Sequence, residues 1–150
     1  VPHRIAADAL ASGTLPGFSR PSFVQREKTF LDSRFDIYYE DTIYGKKGFI
    51  EVKGVTLEKD NVVLFPDAPT ARGTKHIHHL IAAKKQGYES CIYFIVQMNE
   101  ADYFTPNQET DPTFTQALQE AKQAGVKILA ATCIVQPNMI TVAHSIPVKL

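Results

Sequence analysis

The sequence predicts an α/β domain, a mixed β-sheet with helices on both faces, and three observations lead there. Cys91–Val96 is apolar at every position, as a central strand covered from both sides must be. Segments with helical and strand-like periodicity follow one another in the order α, β, β, β, α, β, α, β, and helices set between strands have to cross over the sheet that those strands form. The chain has 150 residues, 44% of them hydrophobic and 21% charged, which is the size and balance of one ordinary domain with a real core.

Taken in order, His3–Ser12 reads as a helix, with Ile5, Ala6, Ala9 and Leu10 as its apolar stripe and Gly13 as its C′ residue. Pro16, Gly17 and Pro21 hold a turn-rich connection. Phe23–Phe30 reads as a strand with poor alternation; Asp32-Ser33 turns the chain into a second strand, Arg34–Glu40, and Gly48–Lys53 completes an antiparallel set. Gly54–Phe65 is an extension or hairpin around Lys59-Asp60-Asn61. After Pro66-Asp67-Ala68-Pro69 a helix runs from about Thr70 to Gln86, stopped by Gly87, with Ile77, Leu80 and Ile81 toward the core. Asp67 is placed to cap that helix, the alternative being a second acidic group at the site of Asp36, Glu51 and Lys53. Asp111 and Pro112 form an N-cap and N1 pair for a helix whose buried face is Phe114, Ala117, Leu118 and Ala121, and Gly125 ends it. Val126–Val135 is a buried strand, and Pro137-Asn138 leads into a short last strand, Met139–Val142.

No apolar run approaches the roughly 18 to 20 residues that span a bilayer. The start shows neither a charged segment followed by an apolar one nor a lipidation signal, so a cytoplasmic protein without a membrane partner is expected. Cys91 and Cys133 sit inside apolar runs without metal-ligand spacing and are expected as reduced core residues. Net charge is zero with the five histidines neutral, so any nucleic-acid contact has to come from local clustering of charge.

The densest chemistry lies in Arg34–Lys53. Residues two apart on a strand share a face, so Glu51 and Lys53 point one way, Ile50 and Val52 the other. On the preceding strand Phe35, Ile37 and Tyr39 alternate with Asp36, Tyr38 and Glu40. Asp36, Glu51 and Lys53 are thereby expected on one polar rim above an apolar core. Two carboxylates a few ångströms apart repel unless a cation lies between them. Mg²⁺ fits such a place, since it takes hard oxygen ligands and keeps waters; Asp36, Glu51 and the Val52 carbonyl would be its protein ligands. Lys53 would orient or deprotonate an attacking water or stabilise charge on a phosphate. Glu-x-Lys alone arises by chance in roughly one chain of this size in two or three, and the plain alternative is a solvated surface pair. The order of a helix, an Asp-bearing strand, Glu-x-Lys on the next strand and then a basic helix is more restrictive, and it matches the αβββαβ core of the PD-(D/E)xK nuclease-like superfamily.

Five segments, Arg34–Glu40 (RFDIYYE), Phe49–Leu57 (FIEVKGVTL), Phe65–His76 (FPDAPTARGTKH), Tyr93–Gln97 (YFIVQ) and Ala124–Ala130 (AGVKILA), together resemble the sugar fermentation stimulation protein A (SfsA) family, in the same order and over most of the chain. The resemblance implies a PD-(D/E)xK nuclease-like C-terminal domain with a DNA-binding role. It also implies an OB-like N-terminal domain, which this chain lacks; Val1 is consistent with a piece that begins just after it. By position, the family's metal-site and catalytic residues fall on Asp36, Glu51 and Lys53, with Gln97 near them at the end of the central strand. Where the family has an acidic pair in the first helix, this chain has Ala7-Asp8. Asp8 is either a further metal carboxylate or an ordinary surface residue.

Arg72, Lys75, His76 and His79 follow helical spacing and form a basic stripe, the expected phosphate contact for DNA; the alternative is a solvated helix face. His76, His78 and His79 have no further Cys or His at zinc-ligand spacing. The functional expectation is a DNA-binding domain, mainly contacting phosphates, with a Mg²⁺ or Mn²⁺ site. The alternatives are a metal-dependent nuclease and an inactive regulatory or assembly module.

Overall fold

The computed structural model describes all residues, 1–150. Its elements are α1 (Pro2–Ser12), β1 (Phe23–Phe30), β2 (Ser33–Asp41), β3 (Lys46–Val55), β4 (Leu57–Lys59), β5 (Val62–Phe65), α2 (Ala71–Lys85), β6 (Glu89–Val96), β7 (Tyr103–Pro106), α3 (Pro112–Gln123), β8 (Lys127–Gln136) and β9 (Met139–Ile146). The main sheet has six strands in the order β1-β2-β3-β6-β8-β9. Its centre, β3-β6-β8, is parallel and its flanks are antiparallel, so the sheet is mixed. A second sheet of three strands, β4-β5-β7, carries the hairpin whose partner was open in the sequence. That partner, β7, is too short and too polar on its flanks to announce itself. The β4–β5 turn is made by Asp60 and Asn61, both at positive φ (52° and 65°), the backbone that a tight two-residue hairpin requires.

Helices lie on both faces of the main sheet. On one, α2 and α3, the latter through its own Phe114, cover Phe35, Phe49 and Phe94, with Phe104 of β7 in the same core; on the other, α1 covers Ile37, Ile50, Tyr93, Ile95 and Cys133. The α1 helix touches β9 as well as β1, the two edge strands, so the sheet curves around it. Gly13 ends α1 at φ 77°, with the Thr14 N–H reaching back to the Ala9 carbonyl at 2.8 Å. At α2 the cap is Thr70, whose hydroxyl accepts the Gly73 N–H at 2.9 Å, while Asp67 is exposed; the hydroxyl three residues before Gly73 is in reach and the carboxylate is not. Asp111 caps α3 as expected, accepting from Phe114 N at 3.0 Å, and its second oxygen takes the Thr70 N–H at 2.8 Å, tying the start of α2 to the start of α3.

Two expectations about β2 and β3 are corrected. Phe35 and Tyr38 face α2 whereas Ile37 and Tyr39 face α1, so the simple alternation along β2 breaks at Asp36. The cause is a missing rung. The β1–β2 ladder runs Arg26–Ile37 and Lys28–Phe35 without pairing Glu27 to Asp36, and Glu27 stands at φ 61°. There is also no polar rim: α2 covers the face on which Glu51 and Lys53 lie, and Glu51 is only 3% exposed.

A candidate metal and phosphate site

The β2–β3 ladder runs from Asp41–Lys46 to Ile37–Ile50 and stops there. One step further, Asp36 and Glu51 stand opposite each other across strands that have begun to separate. Asp36 turns its carboxyl into the gap, where Oδ2 accepts the Val52 N–H at 2.8 Å in place of a backbone carbonyl. Its own N–H donates to Glu51 Oε1 at 3.2 Å. Side-chain and main-chain polar groups are thus exchanged between the two strands, and this satisfies the backbone that the splayed ladder leaves open.

Glu51 Oε2 accepts from both His76 Nδ1 at 2.7 Å and Lys53 Nζ at 3.2 Å, and Lys53 Nζ lies 3.2 Å from His76 Nδ1. Burial, and then the negative charge of Glu51, push Asp36 up to about 7. Burial also acts to raise Glu51, but the hydrogen bond from His76 and the charge of Lys53 outweigh it and hold Glu51 below the ordinary range. Asp36 therefore holds its proton toward neutral pH while Glu51 keeps the charge.

Asp36, Glu51, Lys53 and the Val52 backbone are brought together. His76 is brought there too, which corrects its place on the basic stripe: it is 4% exposed, because it belongs to the inward face of α2 with Gly73, Ile77, Leu80 and Ala83. The 3–4 spacing of those residues was the signal for it. The rest of the stripe is not free either. Lys75 Nζ pairs with Asp32 at 3.1 Å, and His79 meets both Asp32, at 3.5 Å, and the Ser33 hydroxyl. Arg72 alone is exposed without an ion pair.

Asp8 and Gln97 are not brought into the group. Asp8 is exposed on α1 and lines a cavity on the α1 side of the sheet. The Gln97 side chain also lies on that side. A Cβ on Gly54 would stand 2.8 Å from Pro2 Cγ and 3.2 Å from Gln97 Nε2, so glycine is what lets the start of α1 and Gln97 close over the end of β3. Cys91 and Cys133 are free and buried, and burial raises both thiols, Cys133 to about 11, so neither is a nucleophile at neutral pH. No helix is long and apolar enough to cross a membrane.

Residues 1–139 match the family model described as the sugar fermentation stimulation protein RE domain. A sugar fermentation stimulation protein homolog of Desulfitobacterium hafniense (strain Y51) is 45% identical over 100% of this chain and 64% of the relative. Another, from Caldanaerobacter subterraneus subsp. tengcongensis, is 43% identical over 100% of this chain and 65% of its own length. The chain thus spans about two thirds of these relatives. Among solved structures, SfsA of Pyrococcus furiosus, described as in complex with Ca²⁺, superposes with a TM-score of 0.84 at 27% identity, covering 96% of this chain and 62% of that one. With a family model matched over nearly its whole length, relatives above two-fifths identity and a solved member of the same fold, the chain belongs to the sugar fermentation stimulation protein (SfsA) family.

Proposed function

We propose that this domain binds DNA through its phosphodiester backbone and holds one divalent cation between Asp36 and Glu51, on a PD-(D/E)xK nuclease-like core. One observation carries the cation site: Asp36 and Glu51 stand opposite each other where the β2–β3 ladder ends, linked by the Asp36 N–H on Glu51 Oε1 and the Val52 N–H on Asp36 Oδ2, and a cation between them lets both carboxylates ionise. No group of three or more His, Cys, Asp and Glu side chains converges for a metal. That donor set suits Mg²⁺ or Mn²⁺, which retain waters, and not a zinc cage. The Val52 carbonyl completes the protein ligands: the N–H and C=O of one strand residue face the same neighbour, and the Val52 N–H faces Asp36. The Ca²⁺ complex of the Pyrococcus furiosus relative supports a divalent ion bound by oxygen.

When bound, the cation supplies charge stabilisation to a phosphodiester oxygen. The chain's own part is to orient and to hold protons. His76 and Lys53 fix the Glu51 carboxylate, and Lys53 Nζ, with its side chain 16% exposed, is the donor nearest to solvent at the mouth. That ammonium group favours hydrolysis as a second reading, a metal-dependent nuclease in which Lys53 steadies charge on the phosphate or the attacking water.

Calorimetric titration with Mn²⁺ should show one site in the native protein, with proton release visible as heats that depend on the buffer, and none in Asp36→Ala. Equal heats in both would end the cation proposal. Incubating plasmid and single-stranded DNA with Mg²⁺ or Mn²⁺ then separates the two readings. Cleavage lost in Lys53→Ala means nuclease; identical backgrounds in native, Glu51→Ala and Lys53→Ala leave binding alone.

A further inference from the structure

We infer that the groove between α1, β1 and the β8–β9 hairpin is a track for the phosphodiester backbone of one DNA strand, on the face of the sheet opposite α2. This rests on the DNA-binding proposal above and gives it a place. The groove is a cavity of about 890 Å³ lined by His3, Arg4 and Asp8 of α1, by Arg26 of β1, and by Asn138 and Thr141 at the hairpin. Two permanent cations, Arg4 and Arg26, face one carboxylate, Asp8. Arg4 and Arg26 are exposed and neither takes part in any ion pair, so their charge is available to a ligand. Burial first, then the amino terminus and Arg26, lower the pKa of His3 against the opposing charge of Glu27, so His3 adds no fixed charge to the groove. The wall has no Phe, Tyr or Trp on which bases would stack, and its hairpin side offers amide and hydroxyl groups; both features suit the backbone and not the bases.

The inner end of the groove is fixed by the start of α1. Pro2, at the start of α1, packs against Gly54, the residue after Lys53. Arg26 precedes Glu27, which faces Asp36 across the missing rung. The groove therefore runs along the α1 face as far as the end of β3, on the side of the sheet opposite Glu51, Lys53 and His76. On the other face of the sheet the α2 stripe offers Arg72 as its one unpaired cation.

The test follows binding of a fluorescent oligonucleotide, as single strand and as duplex, by anisotropy from 50 to 300 mM KCl. The native protein is compared with Arg4→Ala plus Arg26→Ala, with Arg72→Ala plus Lys75→Ala, and with Arg4→Lys plus Arg26→Lys. Removing two phosphate contacts should flatten the log–log salt slope by about 2 and weaken binding at 100 mM about tenfold in the groove pair. The α2 pair should change little, and the lysine pair should keep the slope, which shows that charge and not folding is read. An unchanged slope in the groove pair, or an equal loss from both alanine pairs, overturns the groove while leaving DNA binding intact. No binding by the native protein in either form overturns DNA binding and the groove together.

Discussion

The two faces of the sheet hold their charged groups in opposite ways. Under α2 and α3, a phenylalanine-rich core encloses Glu51 and His76, each at most 4% exposed, together with the inner part of Lys53. Under α1 the core is made of Ala, Ile and Tyr, and the charged residues nearby, Arg4, Asp8 and Arg26, stay in solvent along the groove. Geometry explains the contrast. Two helices side by side roof a sheet completely, so a charged residue beneath them must find partners, whereas a single helix covers a strip and leaves water along its flanks. The buried group is thereby fixed in orientation, and the solvated group stays free to move.

From that contrast, deleting a charged group should cost far more on the α2 face than on the α1 face. The largest effect expected is from His76→Ala. It removes a 2.7 Å hydrogen bond from a carboxylate that cannot reach water and should cost about 3 kcal/mol or more in urea unfolding at pH 7. Less than about 1 kcal/mol would mean that water enters under α2 and that the two faces do not differ. His76→Gln, which can still donate, should recover part of the loss.

The same contrast shows how much of the molecule was legible in the sequence. The fold class and most elements follow from periodicity, since Cys91–Val96 admits no exposed face and Asp111-Pro112 writes its own helix start. Asp36, Glu51 and Lys53 were legible as a set because chain order and spacing place them on adjacent strands. Their surroundings were not. Period-two alternation assumes an unbroken ladder, and the missing Glu27–Asp36 rung lies between strands and leaves no local signature. His76 was assigned to the outward face by its charge, although its spacing from Ile77 and Leu80 marks the inward one. Hydropathy rules misplace a residue when its burial depends on a partner, here Glu51, that is distant in sequence. The groove was beyond reach for a related reason: β1 and β9 are opposite edges of the sheet, and only its curvature brings Arg26 and Asn138 to the same helix.

Where α1 meets the end of β3, the faces are joined by a close approach that can be tested next. Gly54→Ala places a methyl group 2.8 Å from the Pro2 ring and should cost about 1–3 kcal/mol, shifting α1 along the sheet. Because the Pro2 end of α1 forms the inner end of the proposed track, the substitution should also weaken DNA binding while leaving Mn²⁺ heats nearly unchanged. Heats lost along with DNA binding would show that the faces are coupled at this point, not merely adjacent.

Asp36 offers a smaller effect with a defined sign. Its carboxyl titrates at about 7 in the folded chain and at 3.8 unfolded, so the folded state holds the extra proton between those values. Stability from this group is complete below the unfolded value and is lost as pH rises through about 7. Asp36→Asn keeps an oxygen for the Val52 N–H and never ionises. It should therefore be more stable than the native chain at pH 8, by on the order of 1–2 kcal/mol once solvent screening of a part-buried side chain is allowed for, and no more stable at pH 3.5. A difference independent of pH would show that the raised pKa is not what sets Asp36 apart.

The smallest effect is expected on the open face, and it completes the contrast. Arg4→Ala plus Arg26→Ala removes two full charges, twice what His76→Ala can remove. Both side chains are exposed and unpaired, so the folded and unfolded states solvate them almost equally. Arg4 lies in the first turn of α1, where a cation opposes the helix dipole, and its loss is worth a few tenths of a kcal/mol in favour of the fold. The double variant should thus unfold within about 0.5 kcal/mol of the native chain at 100 mM KCl, and the small difference should shrink further at 500 mM as the dipole term is screened. A loss above about 1 kcal/mol that persists at high salt would mean that the arginine stems pack against the groove wall, and the α1 face would then hold its charges for the fold as the α2 face does.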